Sequence, residues 1–324
     1  MINLPPPENL TICFAHAAYQ MAATFNRHMP HVPHFQVWTA ADLRQRVAPA
    51  QVLVTSGFWH NDLLPLAPNL RFIQSISAGV NQYPLDTLRQ RGIRLASAAG
   101  VNSSAVAQHA MAHVLAFARH IHTGRDNQHR RLWRGMISDL AQREDELGDK
   151  TMLIVGLGQI GQALARLAQA FGMRVLATKQ RPDTVSDNTL AVYPPGRLLE
   201  LLPQADYVVL TCPLTPETER LMDAAALAAM KPSATLINMA RGRVVDEGAL
   251  VWALENGRLA AAGLDCTWDE PLPADSPLWG MENVIITPHT GGETRRYEER
   301  VIAILCENLN RLWRGEGTLV NQVV

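Results

Sequence analysis

Residues 152–173, "MLIVGLGQIGQALARLAQAFGM", constrain the fold more than any other stretch of this 324-residue chain. Gly156, Gly158 and Gly161 stand there in G-x-G-x-x-G spacing. Alone, that spacing is a weak signal. Here an apolar run over 152–155 leads in, and a helical pattern leads out through Ala163, Leu164, Leu167 and Ala168, so the glycines mark a strand-to-helix turn. Gly156 permits the sharp turn, Gly158 lets the backbone approach a pyrophosphate, and Gly161 lets helix and strand pack closely. The helix N-terminus, from Gln159 and Ile160 onward, offers unpaired N–H groups and a positive dipole end to phosphates. The expectation is a dinucleotide-binding βαβ unit.

The rest of the chain repeats the same alternation. "LTICFAHA" (10–17), "QVLVTS" (51–56), "LRFIQSIS" (70–77) and "IRLASA" (93–98) read as strands buried on both faces, as in a parallel sheet. "ADLRQRV" and "YPLDTLRQRG" read as intervening helices, the second stopped by Gly92. A long apolar helix follows over 103–121, with Ser103 or Ser104 as its N-cap, and then a polar, arginine-rich stretch to about residue 149. A second alternation runs through "TMLIVGLG", "MRVLATK", "YVVLTCPL", "ATLINMA", "LAAAGLDCT" and "VIITPHT", and an amphipathic helix occupies 293–315. The pattern predicts an α/β chain of two doubly wound parallel-sheet domains.

Composition narrows the function classes. Hydrophobic residues make up 47% and charged residues 18%, so the chain is of ordinary globular type. A net charge of −1 gives no electrostatic case for nucleic acid or an acidic membrane surface. No apolar run reaches spanning length, no secretory signal opens the sequence, and Cys13, Cys212, Cys266 and Cys306 show no CxxC pairing. A cytoplasmic protein with reduced cysteines is expected.

A Rossmann turn usually has an acid about 20 residues on, gripping the ribose 2′-OH. In "FGMRVLATKQRPD" the second strand ends at Thr178 and Lys179, followed by Gln180 and Arg181. A carboxylate would repel a 2′-phosphate, whereas Lys179 and Arg181 would attract it. NADP is therefore expected over NAD.

Three segments at the ends of late strands hold the remaining chemistry, on the edge where open parallel sheets bind ligands. They carry Arg241 in "NMARG", Asp265 and Glu270 in "GLDCTWDEPLP", and His289 in "VIITPHTGG". Reduction of a 2-keto acid beside a nicotinamide needs such a set. The cation binds the carboxylate and polarises the keto group, the imidazolium delivers a proton, and a carboxylate orients the ring and favours its protonated form. Arg241 has no acid beside it in sequence until Asp246, which is read as the cap of the next helix, with Arg243 in the loop before it. His109 and His113 share the i, i+4 spacing zinc can use, but "HAMAH" lacks the intervening Glu, so no metal is expected.

With these residues in place, the chain resembles the D-isomer-specific 2-hydroxyacid dehydrogenase family, in particular its glyoxylate/hydroxypyruvate reductases. "SAGVN", "GVNSSAVAQHAMAHVLA", "VGLGQIG", "PLTPET", "LINMARGRVVDEGAL", "AGLDCTWDEPLP" and "VIITPHTGG" match its motifs in order and spacing. The resemblance implies Arg241, Glu270 and His289 as the catalytic set. It implies Asp265 by the nicotinamide carboxamide, and backbone around Ala78 and Gly79 receiving the substrate carboxylate, with Arg241 and His289 also on the substrate. Further cofactor contacts are implied from Cys212, Pro213, Thr218, Met239, Ala240 and Gly291. The implied layout is a Rossmann domain, 103–289, inserted into a flavodoxin-like substrate domain, 1–102 with 290–324, in a homodimer. Asn81 for a common Asp, Gln108 for the usual Glu and Lys179 for an acid are departures. A dinucleotide-sensing, co-repressor-like interaction protein and a short phosphoglycerate dehydrogenase-like enzyme are the alternatives.

Overall fold

Twelve short strands carry the architecture in the computed structural model, which describes residues 4–184 and 190–324. They are β1 (Ile12–Ala15), β2 (His34–Val37), β3 (Val52–Thr55), β4 (Phe72–Ser75), β5 (Arg94–Ala96), β6 (Thr151–Val155), β7 (Arg174–Thr178), β8 (Ala191–Tyr193), β9 (Tyr207–Leu210), β10 (Thr235–Asn238), β11 (Ala261–Leu264) and β12 (Val284–Ile286). The chain divides into two units, Met1–Val101 with Thr294–Val324, and Asn102–Glu293.

The first unit holds a sheet of order β2-β1-β3-β4-β5, every pairing parallel. That is the order of a flavodoxin-like sheet, the class of domain that the resemblance implies. All four residues of β1, β3 and β4 are buried, because helices cover both faces. Ile12 and Phe14 point to one side, against Val301, Ile302, Leu305 and Leu309 of the helix Tyr297–Trp313. Cys13 and Ala15 point to the other, toward Leu43, Leu63 and Leu88. Each such fully buried Leu, Ile or Phe contributes about 1.5–3 kcal/mol, which is why these runs lack the alternation of a one-sided sheet. The helix Leu85–Arg91 ends where Gly92 takes φ 67°, the left-handed stop its sequence suggested.

The second unit holds a seven-stranded sheet, order β12-β11-β10-β9-β6-β7-β8, also wholly parallel. Strand order reverses between β6 and β9, the switch point at which doubly wound sheets open a ligand crevice. Met152 and Ile154 pack under the helix Ser103–Ala118, beside Ala107, Ala110 and Val114; Leu153 and Val155 face the opposite core with Leu236 and Leu250.

Two local expectations need correction. The helix expected to be capped by Ser103 or Ser104 starts at Ser103 itself, with Asn102 at the N-cap position and no side-chain cap bond. Within the polar stretch to residue 149 lies another helix, Ile121–His129, with no buried residue. Its lack of an apolar stripe left no periodic signal to read. Among the described residues, no helix is long and apolar enough to cross a membrane.

Candidate active site

The glycine turn meets its physical requirements. Gly156 has φ 101°, and a Cβ there would lie 2.7 Å from the backbone of Cys212. The end of β7 clamps the turn: the Gly156 N–H donates to Thr178 O and Oγ1, each at 3.2 Å, and the Leu157 N–H donates to Thr178 O at 2.8 Å. Gly158 is the N-cap of the helix Gln159–Ala170 and has no side chain to occupy the first-turn N–H groups of Gln159 and Ile160. At Gly161 a Cβ would sit 2.7 Å from Gly156 O. A bare backbone cradle at a helix N-terminus fits the pyrophosphate of a dinucleotide.

The other residues expected to touch the cofactor follow the ends of β7, β9 and β10. Cys212 is buried, and that burial pushes its thiol up to about 11, so it is an inert wall. Thr218 Oγ1 donates to Pro213 O at 2.6 Å and receives the Thr215 N–H at 2.8 Å, fixing the loop after β9. Met239 and Ala240 are buried at the end of β10. Lys179 follows β7 directly, half-buried, its N–H donating to Tyr193 O at 2.9 Å, and Arg181 is exposed. Among the described residues, no carboxylate forms an ion pair with either.

Neighbouring strands of the same sheet carry the candidate catalytic side chains. Asn238 of β10 pairs with Leu264 of β11, which pairs with Ile286 of β12. Arg241, Asp265 and His289 therefore leave three adjacent strands at one edge. The His289 ring Nδ1 lies 2.8 Å and 3.1 Å from the two oxygens of Glu270. A carboxylate only accepts, so Nδ1 carries the hydrogen and Nε2 points away from Glu270. His289 holds φ 55°, a left-handed value that needs a reason in a non-glycine residue.

Asp265 supplies it. Its Oδ1 accepts the Thr287 hydroxyl at 2.7 Å and the N–H groups of Thr290 and Gly291 at 3.0 and 3.1 Å, while Oδ2 accepts Gly291 N–H at 3.0 Å. The buried carboxylate thus ties down both flanks of His289. Gly291 must be glycine here, since a Cβ would meet Asp265 Oδ2 at 2.7 Å.

Arg241 is exposed and donates from Nη1 to Ala240 O at 2.6 Å; among the described residues it has no ion-pair partner. The Asn238 side chain holds its backbone, donating to Arg241 O at 3.0 Å and accepting the Ala240 N–H at 3.0 Å. Arg243 differs: its guanidinium lies 5.4 Å over Trp268, which Arg220 also approaches at 5.1 Å. Asp246 caps the helix Glu247–Glu255 through the Ala249 N–H, as expected. Burial, then Glu270 and Asp265, push the Cys266 thiol up, whereas Arg241 pulls it down. A cavity of about 600 Å³ beside them is lined by Asp265, Thr267, Glu270, Trp279, Ile286 and His289.

Two residues have structural tasks that their sequence context does not disclose. Gly242 packs so tightly on the Thr267–Trp268 peptide that a Cβ would fall 1.8 Å from Thr267 O. Replacing it with Ala is expected to cost about 3 kcal/mol, read as a lower urea midpoint, because backbone cannot move aside. An unchanged midpoint would mean the two loops are free to separate. His109 is the other, its Nε2 2.9 Å from Thr287 Oγ1. No group of three or more His, Cys, Asp or Glu side chains among the described residues could hold a metal. In the other unit, Ala78 is exposed and Gly79 half-buried in the bend after β4, beside a Ser56–Ser77 hydroxyl contact of 2.6 Å.

Residues 111–291 match the family model for the D-isomer specific 2-hydroxyacid dehydrogenase NAD binding domain. A glyoxylate reductase of Pyrococcus furiosus is 36% identical over 87% of this chain and 85% of its own length. The chain belongs to the D-isomer specific 2-hydroxyacid dehydrogenase family. A glyoxylate/hydroxypyruvate reductase B of Yersinia pestis is 39% identical over 76% of each chain. A family member from Xanthobacter autotrophicus, solved with NADPH and MES, is 27% identical with a TM-score of 0.80 over 98% of both chains. As a D-2-hydroxyacid dehydrogenase, this protein is an NAD(P)-dependent oxidoreductase acting between 2-keto and 2-hydroxy acids.

Proposed function

We propose that the protein is an NADPH-preferring reductase of small 2-keto acids of the glyoxylate and hydroxypyruvate kind, forming the D-2-hydroxy acid. The observation that carries this is Arg241, a guanidinium with no acid partner among the described residues, one strand from Asp265 and two from the His289–Glu270 pair. The reductase names of the relatives from Pyrococcus furiosus and Yersinia pestis support the substrate class.

Each side chain has a defined part. Arg241 grips the substrate carboxylate in a bidentate pair and polarises the keto oxygen. His289 gives its Nε2 proton to that oxygen, and Glu270 holds the ring through Nδ1 so that Nε2 is the atom presented. When bound, NADPH supplies the hydride. The cofactor would be held by the Gly156–Gly161 turn, by Cys212, Pro213, Thr218, Met239 and Ala240, and by Asp265 and Gly291 near its nicotinamide end. The backbone at Ala78 and Gly79 is assigned to the substrate carboxylate. The unit containing Asn102–Glu293 is read as the cofactor domain and the other as the substrate domain.

Lys179 and Arg181 support the choice of NADPH, standing at the strand end where a ribose-gripping acid would otherwise sit. The NADPH complex of the Xanthobacter autotrophicus relative agrees with that choice. Oxidation of NADPH followed optically with glyoxylate and hydroxypyruvate tests the whole reading. No turnover across a broad 2-keto acid panel, with cofactor bound, would sink it. Replacing both Lys179 and Arg181 with Ala is expected to raise KM for NADPH about 10- to 100-fold and leave KM for NADH nearly unchanged. An equal loss for both cofactors would remove these residues from 2′-phosphate recognition.

A homodimer is part of the proposal. Trp133 is 97% exposed and Met136 100%, with Leu132 and Leu140 also exposed nearby, an apolar stretch that a monomer would leave in water.

A further inference from the structure

The helix Ser103–Ala118 carries two imidazoles one turn apart that the proposed reaction does not use. The Nε2 atoms of His109 and His113 are 3.3 Å apart. His109 Nε2 also lies 2.9 Å from Thr287 Oγ1 and 3.5 Å from Asp265 Oδ1. His113 is 3% exposed. Its Nδ1 is buried without a hydrogen-bond partner among the described residues. It presses on Gly263, where a Cβ would sit 2.5 Å from Nδ1.

Counting hydrogens gives this cluster a direction. Thr287 has one hydroxyl hydrogen, and the 2.7 Å contact with the acceptor-only Asp265 carboxylate takes it. Thr287 Oγ1 must then accept from His109, so His109 carries its hydrogen on Nε2. Burial, then the charge of His109, push His113 down to about 4 against an opposing pull from Asp265, so it is neutral near pH 7. A neutral His113 turns its Nε2 lone pair toward His109, whose one Nε2 hydrogen is shared between Thr287 Oγ1 at 2.9 Å and His113 Nε2 at 3.3 Å, and keeps its own hydrogen on Nδ1. That leaves a buried donor unpaired, at a cost of about 1–3 kcal/mol. An apolar side chain would pack in this position without that cost, so packing alone does not account for an imidazole.

We propose that His109, braced by His113, is a positioning residue: it fixes the Thr287 hydroxyl on Asp265, whose carboxylate holds the turn that presents His289. The inference rests on the reading of His289 as proton donor. Glu270 orients the ring from its own side, and the His109–Thr287–Asp265 chain sets the backbone from which the ring projects.

Steady-state kinetics of His109→Phe, His109→Gln and Thr287→Val, with ring ¹⁵N NMR of the wild-type protein, test it. His109→Phe and Thr287→Val are each expected to lower kcat about 10- to 100-fold, with KM for keto acid and binding of NADPH held within about twofold. Gln can still donate to Thr287, so His109→Gln should restore most of kcat. The double variant His109→Phe/Thr287→Val should be no slower than either single one, because both break the same chain. In the wild type, NMR should show His109 protonated on Nε2 and His113 neutral and protonated on Nδ1. A His109→Phe variant with undiminished kcat, a Gln variant as slow as Phe, or an Nδ1-protonated His109 would each overturn the proposal. Should His109→Phe fail to fold, Thr287→Val and the NMR spectrum still decide. If the wild type reduces no 2-keto acid, the reading of His289 fails instead, and the tautomers report on the His109–Thr287 contact independently.

Discussion

Replacing Arg241 with Ala is expected to lower kcat/KM for glyoxylate by about 10³- to 10⁴-fold, with both kcat and KM affected. A bidentate carboxylate pair and a hydrogen bond to the keto oxygen are charge-assisted contacts of about 1.5–3 kcal/mol each. Their loss together amounts to about 3–6 kcal/mol, and 10³- to 10⁴-fold is the upper part of that range at 1.4 kcal/mol per tenfold. The folded protein should hardly notice, since among the described residues the exposed guanidinium makes one hydrogen bond, to the neighbouring Ala240 carbonyl. Arg241→Lys keeps the charge and loses the planar fork, so a loss of about 10- to 100-fold is expected. Free guanidinium added to the Ala variant should recover part of the rate. Initial rates of NADPH oxidation over a range of glyoxylate concentrations measure all three. A kcat/KM unchanged in Arg241→Ala would remove the proposed substrate anchor and the mechanism with it.

Arg241 and Arg243 look alike in "ARGRVV", and what separates them lies far off in the chain. Arg243 is occupied by the ring of Trp268, whereas Arg241 has no acid partner among the described residues. Sequence could place both at the end of a buried strand, since β10 is an unbroken apolar run with every residue buried. The same logic exposed β1, β3, β4 and the strands around the glycine turn. It missed β2 and β8, edge strands whose residues are mostly half-buried and so lack a continuous apolar signature.

Site residues divide in a similar way. The glycine turn and the Asp246 cap are local devices, written within a few residues of where they act. The anchoring of the His289 turn is not. Thr287 meets Asp265 across 22 residues and His109 across 178, and no periodicity records either contact. The family resemblance implies Asp265 as a nicotinamide neighbour. Its four contacts with the Thr287–Gly291 segment add a supporting task that the motif alone does not disclose.

His289→Asn should lower kcat by about 10²- to 10⁴-fold while KM for the keto acid stays within a few-fold, the pattern expected when a positioned proton donor is lost. Asn suits this test for a structural reason. His289 has φ 55°, and Asn tolerates the left-handed region far better than most residues, so the turn tied to Asp265 should survive. A β-branched replacement such as His289→Val would confound chemistry with backbone strain. The variant should still bind NADPH and keep its unfolding free energy, measured by urea titration, within about 1 kcal/mol, because the ring is partly exposed and its carboxylate partner Glu270 is too. Glu270→Gln should be milder, about 10- to 100-fold in kcat: the ring stays, but an amide no longer compels Nδ1 to carry the hydrogen. Combined, the two substitutions should cost little more than His289→Asn alone, since Glu270 acts through a ring no longer present. If His289→Asn kept a tenth or more of wild-type kcat, the proton would have to reach the substrate oxygen from another donor. Additive losses in the double variant would mean that Glu270 acts on the substrate directly rather than through His289.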